Sequence, residues 1–138
     1  MKFEGFYHRG KKHFEKEHRI RAKLYRIMCK VCFNCDIPFQ ANIDHDVYFC
    51  HNAFGVVINP AVTIGGGTTI QHGVTIGEMN SHKAPRIGKN VFIGAKATIL
   101  GDIEIGNNVK IGACTLVMND IPDNCTVVGV PGRIVKRG

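Results

Sequence analysis

The sequence predicts an all-β solenoid of hexapeptide repeats, in which short parallel strands wind into a three-sided prism behind a short N-terminal α-helical segment. Three observations carry that reading. Ile87, Ile93, Ile99, Ile105, Ile111 and Val117 recur every six residues, and the same step runs back through Ile58, Ile64, Ile70 and Ile76, and again through Ile37, Ile43 and Phe49. Gly follows the aliphatic residue at Gly65, Gly77, Gly88, Gly94, Gly106 and Gly112. A second small or β-branched set lies four residues on, at Val47, Val62, Thr68, Val74, Val91, Ala97, Ile103, Val109, Thr115 and Ile121. A helix turning ~100° per residue cannot keep every sixth side chain on one face. Short strands joined by tight corners can, with three hexapeptides (~18 residues) closing one coil and coils stacking at ~4.8 Å. Gly and Asn are expected in left-handed backbone at the corners, and Asn90, Asn107, Asn108, Asn119 and Asn124 fit that chemistry.

The elements follow in order. Residues 1–35 form a basic helical segment, in which Ile20, Leu24, Ile27, Met28 and Val31 have the spacing of an amphipathic helix that Asp36-Ile37-Pro38 ends. Residues 36–121 are the solenoid, and residues 122–138 read as a turn-rich basic tail carrying Arg133, Lys136 and Arg137. The six-residue register breaks twice: three extra residues fall between Phe49 and Ile58, and five between Ile76 and Ile87. Insertions in a solenoid become outer loops, where binding concentrates, and these two leave different corners of the prism.

A chain of 138 residues and 15.2 kDa, 44% hydrophobic and 21% charged, has the composition of one ordinary folded domain. The N-terminus is too polar for a secretory signal and no apolar run is long enough to span a bilayer, so a cytoplasmic protein is expected. The net charge of +7 lies wholly in residues 1–33, where ten Lys/Arg face Glu4, Glu15 and Glu17. Without interleaved aromatic residues this charge does not predict nucleic-acid binding. It reads as a solvated helix face, or as attraction to an acidic partner or an anionic membrane.

The Cys29, Cys32 and Cys35 run lacks a fourth ligand and falls on the helical stretch, so reduced, apolar thiols are expected rather than a metal cluster. His8, His13 and His18 are spread around the helix by their five-residue step.

Stacking the coils places Phe49, Ile70, Ile93 and Ile111 in one file, so the residues two further on, His51, His72, Ala95 and Ala113, form a column. Two imidazoles thus give way to two methyl groups: a reactive end and a narrow channel for an extended ligand. Asp36 lies one coil earlier on the neighbouring segment, and an imidazole with a carboxylate on one nitrogen accepts a proton at the other. His45 faces another side of the prism and His82 lies in the second insertion, so no three histidines share a column and no metal is expected.

Residues 36–137 resemble the hexapeptide-repeat acyltransferases, in particular the serine acetyltransferases and polysaccharide O-acetyltransferases. The motifs are C35-DIP-P38, H51-NAFGVVI-I58, H72-GVTIG-G77, K83-APRIG-G88, I93-GAKATILGDIEIG-G106, I111-GA-A113 and V128-GVPGRIV-V135. The resemblance implies a left-handed parallel β-helix, a homotrimer with its active site between subunits, and acetyl-CoA as co-substrate. It implies His51 as general base and Asp36 as its acidic partner. It also implies that Gly77, Ala95 and Ala113 line the pantetheine arm, with Arg133, Lys136 and Arg137 suited to the nucleotide phosphates. His72, Cys50 and His82 are further candidates for the groove, and Cys50 offers a covalent alternative to direct transfer.

Two departures bear on the acceptor. Serine acetyltransferases carry an acidic residue where Cys50 stands, and an Arg-His pair where Lys83-Ala84 stands. Losing the charges that would hold an amino acid favours a sugar hydroxyl on a polysaccharide precursor. Genuine serine acetyl transfer, a non-catalytic assembly module and a zinc enzyme on the same fold are the alternatives.

Overall fold

The computed structural model describes residues 1–138. Two helices, α1 (Phe3–Glu15) and α2 (Arg19–Phe33), precede the strands. The first coils hold β1 (Asn42–Ile43), β2 (Tyr48–Phe49), β3 (Val57–Ile58), β4 (Thr63–Ile64), β5 (Thr69–Ile70) and β6 (Thr75–Gly77). Above them come β7 (Arg86–Ile87), β8 (Phe92–Ile93), β9 (Thr98–Leu100), β10 (Glu104–Ile105), β11 (Lys110–Ile111) and β12 (Leu116–Val117). Strands β13 (Cys125–Val128) and β14 (Arg133–Arg137) close the chain.

The faces of the prism are three sheets, ordered β1-β4-β7-β10, β2-β5-β8-β11-β13-β14 and β3-β6-β9-β12. All pairs are parallel except β13 with β14. The register is the expected one: Phe49 pairs with Ile70, Ile70 with Ile93, and Ile93 with Ile111. The aliphatic file and the set four residues on are both buried, Thr68 and Thr115 included. Each coil therefore adds two inward residues per side to one continuous core.

The corners divide their work differently from expectation. Left-handed backbone falls three residues after the inward residue, at Asn52, Gly67, Gly73, Asn90, Lys96, Asn108 and Cys114, with Asn124 also left-handed, but Asn107 and Asn119 are not. The Gly directly after the inward residue serves close stacking instead. A Cβ on Gly94 would lie 2.5 Å from the Ala113 backbone nitrogen, so only hydrogen fits between these coils.

The helices cap the lower end of the prism. Phe3 sets its ring against Phe49 at 5.3 Å and Phe33 at 5.6 Å, while Tyr7 meets Phe39 at 5.3 Å and donates its hydroxyl to Pro38 O at 3.0 Å. Burial of this phenol pushes its pKa well up. Helix α2 ends at Asn34 in left-handed backbone, which turns the chain into the first coil.

Three sequence expectations change here. An amphipathic stripe ordinarily faces a core, but α2 buries Ala22, Cys29 and Phe33 and turns Ile20, Leu24, Ile27, Met28 and Val31 outward. His13 and His18 are not dispersed: because α1 stops at Glu15, the chain folds back and brings their rings to 5.6 Å. The tail is more regular than a run of turns, with β13 stacking on β11 and β14 returning antiparallel to it. No helix is long and apolar enough to cross a membrane.

Candidate active site

After β2 the chain makes a tight 3-10 turn, Cys50–Ala53, that carries the first insertion. His51, Asn52 and Ala53 are all left-handed, with φ of 52°, 55° and 60°. Such backbone costs a non-glycine residue about 1–2 kcal/mol, so the surroundings must hold it. Ala53 is fully buried, the Phe54 N–H donates to His51 O at 3.2 Å, and the Gly55 N–H donates to Asn34 O at 2.9 Å.

Helix α1 supplies the remaining support. Its N-cap residue, Lys2, offers no side-chain acceptor, and Asn52 fills that role from across the fold: its Oδ1 accepts the Phe3 N–H at 3.0 Å. In return, Glu4 in the first helical turn accepts the Phe49 N–H at 3.3 Å. This reciprocal clasp ties the start of the chain to the His51 turn. Sequence reasoning missed Asn52 and Glu4; the one available signal was a helix start lacking a Ser, Thr, Asp or Asn cap.

The column stands as expected. The ladder beside it runs from the Lys96 N–H to His72 O at 2.9 Å and from the Cys114 N–H to Ala95 O at 2.8 Å. His51 and His72 meet edge to face, ring centroids 5.2 Å apart and planes at 84°. With Phe54 they line an open hollow of about 330 Å³. His51 is exposed, whereas the Nδ1 of His72 is buried with no hydrogen-bond partner in the chain. Ala95 is half-buried and Ala113 exposed. Arg133, Lys136 and Arg137 lie on β14, the far strand of the same sheet, and all are exposed.

Other candidates stand elsewhere. Asp36, expected beside His51, is instead held by Arg26 and by Lys30 at 3.1 Å, because the reversal at Asn34 brings the end of α2 over it. Burial alone would raise its pKa, but hydrogen bonds from Arg26 and Lys30 outweigh it and hold the carboxyl below its usual range. Its backbone brackets the strand after the turn: the Asp36 N–H donates to Val56 O at 2.8 Å, and the Ile58 N–H donates to Asp36 O at 2.9 Å.

Cys50 is half-buried, and burial first, then the Glu4 carboxylate, raises its thiol pKa. A thiol so held is a poor nucleophile. Gly77 ends β6, on a different face from β8 and β11, so one chain does not join it to Ala95 and Ala113. His82 sits exposed in the β6–β7 loop, whose Lys83 reaches Asp102 at 3.5 Å; Asp102 also binds Arg86 at 2.9 Å.

Cys29, Cys32 and Cys35 do not converge: the Cys35 thiol donates to Cys29 O at 3.6 Å while Cys32 faces solvent. Burial pushes Cys29 up to about 11 and Cys35 up to about 12. Asp44, His45 and Asp46 gather on the surface, one face away from the histidine pair.

Comparison with known proteins agrees with this geometry. Residues 84–119 match the family model for bacterial transferase hexapeptide repeats. The chain is 42% identical over 113 residues to the putative colanic acid biosynthesis acetyltransferase WcaB of Escherichia coli K12, covering 80% of this chain and 69% of that one. It superposes on serine acetyltransferase (CysE) of Neisseria gonorrhoeae with a TM-score of 0.86 at 34% identity, over 95% of this chain and 51% of the other. A serine acetyltransferase solved in complex with CoA matches with a TM-score of 0.83 at 35% identity, over 94% and 54% of the two chains. The chain thus spans about half the length of these serine acetyltransferases.

Proposed function

Because the chain belongs to the hexapeptide-repeat acyltransferases, left-handed parallel β-helices that here carry an acetyltransferase, we propose that it moves an acetyl group from acetyl-CoA to a sugar hydroxyl. The observation that carries this reading is the imidazole pair at the foot of a small-residue column, with the buried Nδ1 of His72 unpartnered. Its setting is the cytoplasm.

In this mechanism His51 accepts the proton of the acceptor hydroxyl while that oxygen bonds to the thioester carbonyl carbon. As the tetrahedral adduct collapses, the C–S bond breaks and the thiolate takes the proton back from His51, so atoms and charge balance. A positioned base of this kind contributes roughly 10²–10⁴ in rate. His72 lines the hollow and sets its ring edge to face with that of His51. Asp36 is a positioning residue that ties α2 to the strand behind the turn. Ala95 and Ala113 leave room for the pantetheine arm, and the β14 cations Arg133, Lys136 and Arg137 meet the nucleotide phosphates.

Gly77 lies on a different face of the prism from Ala95 and Ala113, an arrangement suited to a channel walled by two chains. That supports a homotrimer with the site between subunits. Cys50 and Lys83-Ala84 lack the paired charges that would grip an amino acid, and the name of the WcaB relative points to polysaccharide; both support a sugar acceptor. Likeness to serine acetyltransferases favours serine as the second reading.

The test is release of free CoA thiol from acetyl-CoA with hexoses, nucleotide-sugars and serine as acceptors. His51→Ala is expected to lower turnover at least a hundredfold with the melting temperature retained, while Cys50→Ser keeps turnover. An active His51→Ala overturns the assignment of the base, and turnover with serine alone overturns the sugar.

A further inference from the structure

Helix α2 has two apolar faces. The inner one, Ala22, Cys29 and Phe33, seats the helix on the body. At ~100° per residue, the stripe of Ile20, Leu24, Ile27 and Val31, with Met28 at its edge, points about 180° away from that seat. These five side chains are all exposed, Ile20 to 79% and Val31 to 76%, and they form the largest outward apolar run of either helix. A contiguous apolar face of this kind on a folded surface marks a contact.

Charge indicates what the contact is. Arg19, Lys23 and Lys30 flank the stripe on one side and Arg21 on the other, and α2 contains no carboxylate. Pairing this helix with its own copy would set cations against cations. An anionic lipid surface satisfies both features together, because the acyl boundary takes the apolar side chains while the headgroups meet the flanking cations. At 15 residues α2 is too short to cross a bilayer, and its body-facing side keeps it parallel to the surface it lies on. Helix α1 and its two capping residues add exposed Lys2, Arg9, Lys12 and Lys16 to the basic helical segment.

We propose that the outward face of α2 docks the protein on anionic phospholipid bilayers, with the stripe entering the headgroup boundary and Arg19, Arg21, Lys23 and Lys30 engaging the lipid charge. This stands apart from the reaction: it concerns binding alone and survives any outcome of the acceptor screen.

The experiment is co-sedimentation of the full chain with large vesicles of phosphatidylcholine alone or with about one-third phosphatidylglycerol. The comparison is among the wild type, Leu24→Ser/Ile27→Ser/Val31→Ser and Arg21→Glu/Lys23→Glu. Melting temperature and solution molar mass are measured beside it. The wild type is expected to bind the anionic vesicles and not the neutral ones. Each variant is expected to lose at least tenfold in partitioning, with fold and molar mass unchanged. Equal binding to both vesicle types, no binding to either, or a serine variant that binds as the wild type does would overturn the proposal. So would a change in molar mass in the serine variant, which would assign the stripe to another copy of this chain.

Discussion

Replacing Asn52 tests how the His51 turn is held. Asn52 does two separable things: it occupies left-handed backbone at φ 55°, and its Oδ1 accepts the Phe3 N–H at 3.0 Å. Ala at this position forfeits the hydrogen bond, about 1 kcal/mol, and meets the left-handed penalty that Asn largely escapes, about 1 kcal/mol more. Gly forfeits the same bond but adopts the backbone without strain, at a smaller cost in unfolded-state entropy. Asn52→Ala should therefore lose about 2 kcal/mol and Asn52→Gly about 1 kcal/mol. Urea unfolding at one fixed protein concentration reads both, since subunit association would otherwise shift the midpoints. On the proposed mechanism, turnover should fall further than stability requires, because the released turn would no longer aim His51 at the acceptor. Equal losses for Ala and Gly would refute the backbone part of this reasoning, and a Gly variant as stable as the wild type would refute the clasp.

Three further predictions concern other parts of the molecule. Gly94→Val places carbon against the Ala113 nitrogen and the Gly112 carbonyl carbon, neither of which can move aside, so a loss of at least 1–3 kcal/mol is expected in thermal or urea melts. Gly5→Ala, on the exposed side of α1 with nothing within 4 Å, should instead gain about 0.5–1 kcal/mol. Asp36 has a depressed folded-state pKa, so the stability it contributes is present above the unfolded value near ~3.9 and lost as pH falls through the folded one. The melting-temperature gap between the wild type and Asp36→Asn should accordingly be open at pH 5–7 and close below about pH 4; a gap constant down to pH 3 would show that Arg26 and Lys30 do not respond to that charge.

What could be read from the sequence was what depends on period. Six-residue spacing with no helical equivalent placed every inward residue from Ile37 to Val117, and counting the insertion placed His51 under His72 and Ala95 under Ala113. What could not be read depends on which of two compatible surfaces a segment chooses. The apolar spacing of α2 was correct, yet the helix buries the opposite, narrower face, on which Phe33 meets Phe3 and Phe6 of α1. Asp36 escaped for a related reason. Its partners Arg26 and Lys30 precede it by ten and six residues, and they reach it only because Asn34 reverses the chain. The Asn52 cap joins residues 49 apart, a pairing that no local pattern announces.

The sheet that runs β2-β5-β8-β11-β13-β14 behaves as a ruler. His51 stands just past its first rung and Arg133, Lys136 and Arg137 on its last, five strand spacings or about 24 Å away. That separation can change only in whole steps. Splicing in one more turn of the prism between β8 and β11 would lift the cationic end by ~4.8 Å and leave the imidazoles where they are. On the proposed assignment of both ends to one donor, graduated insertions and deletions of this kind would tell how long a donor molecule the enzyme is cut to measure.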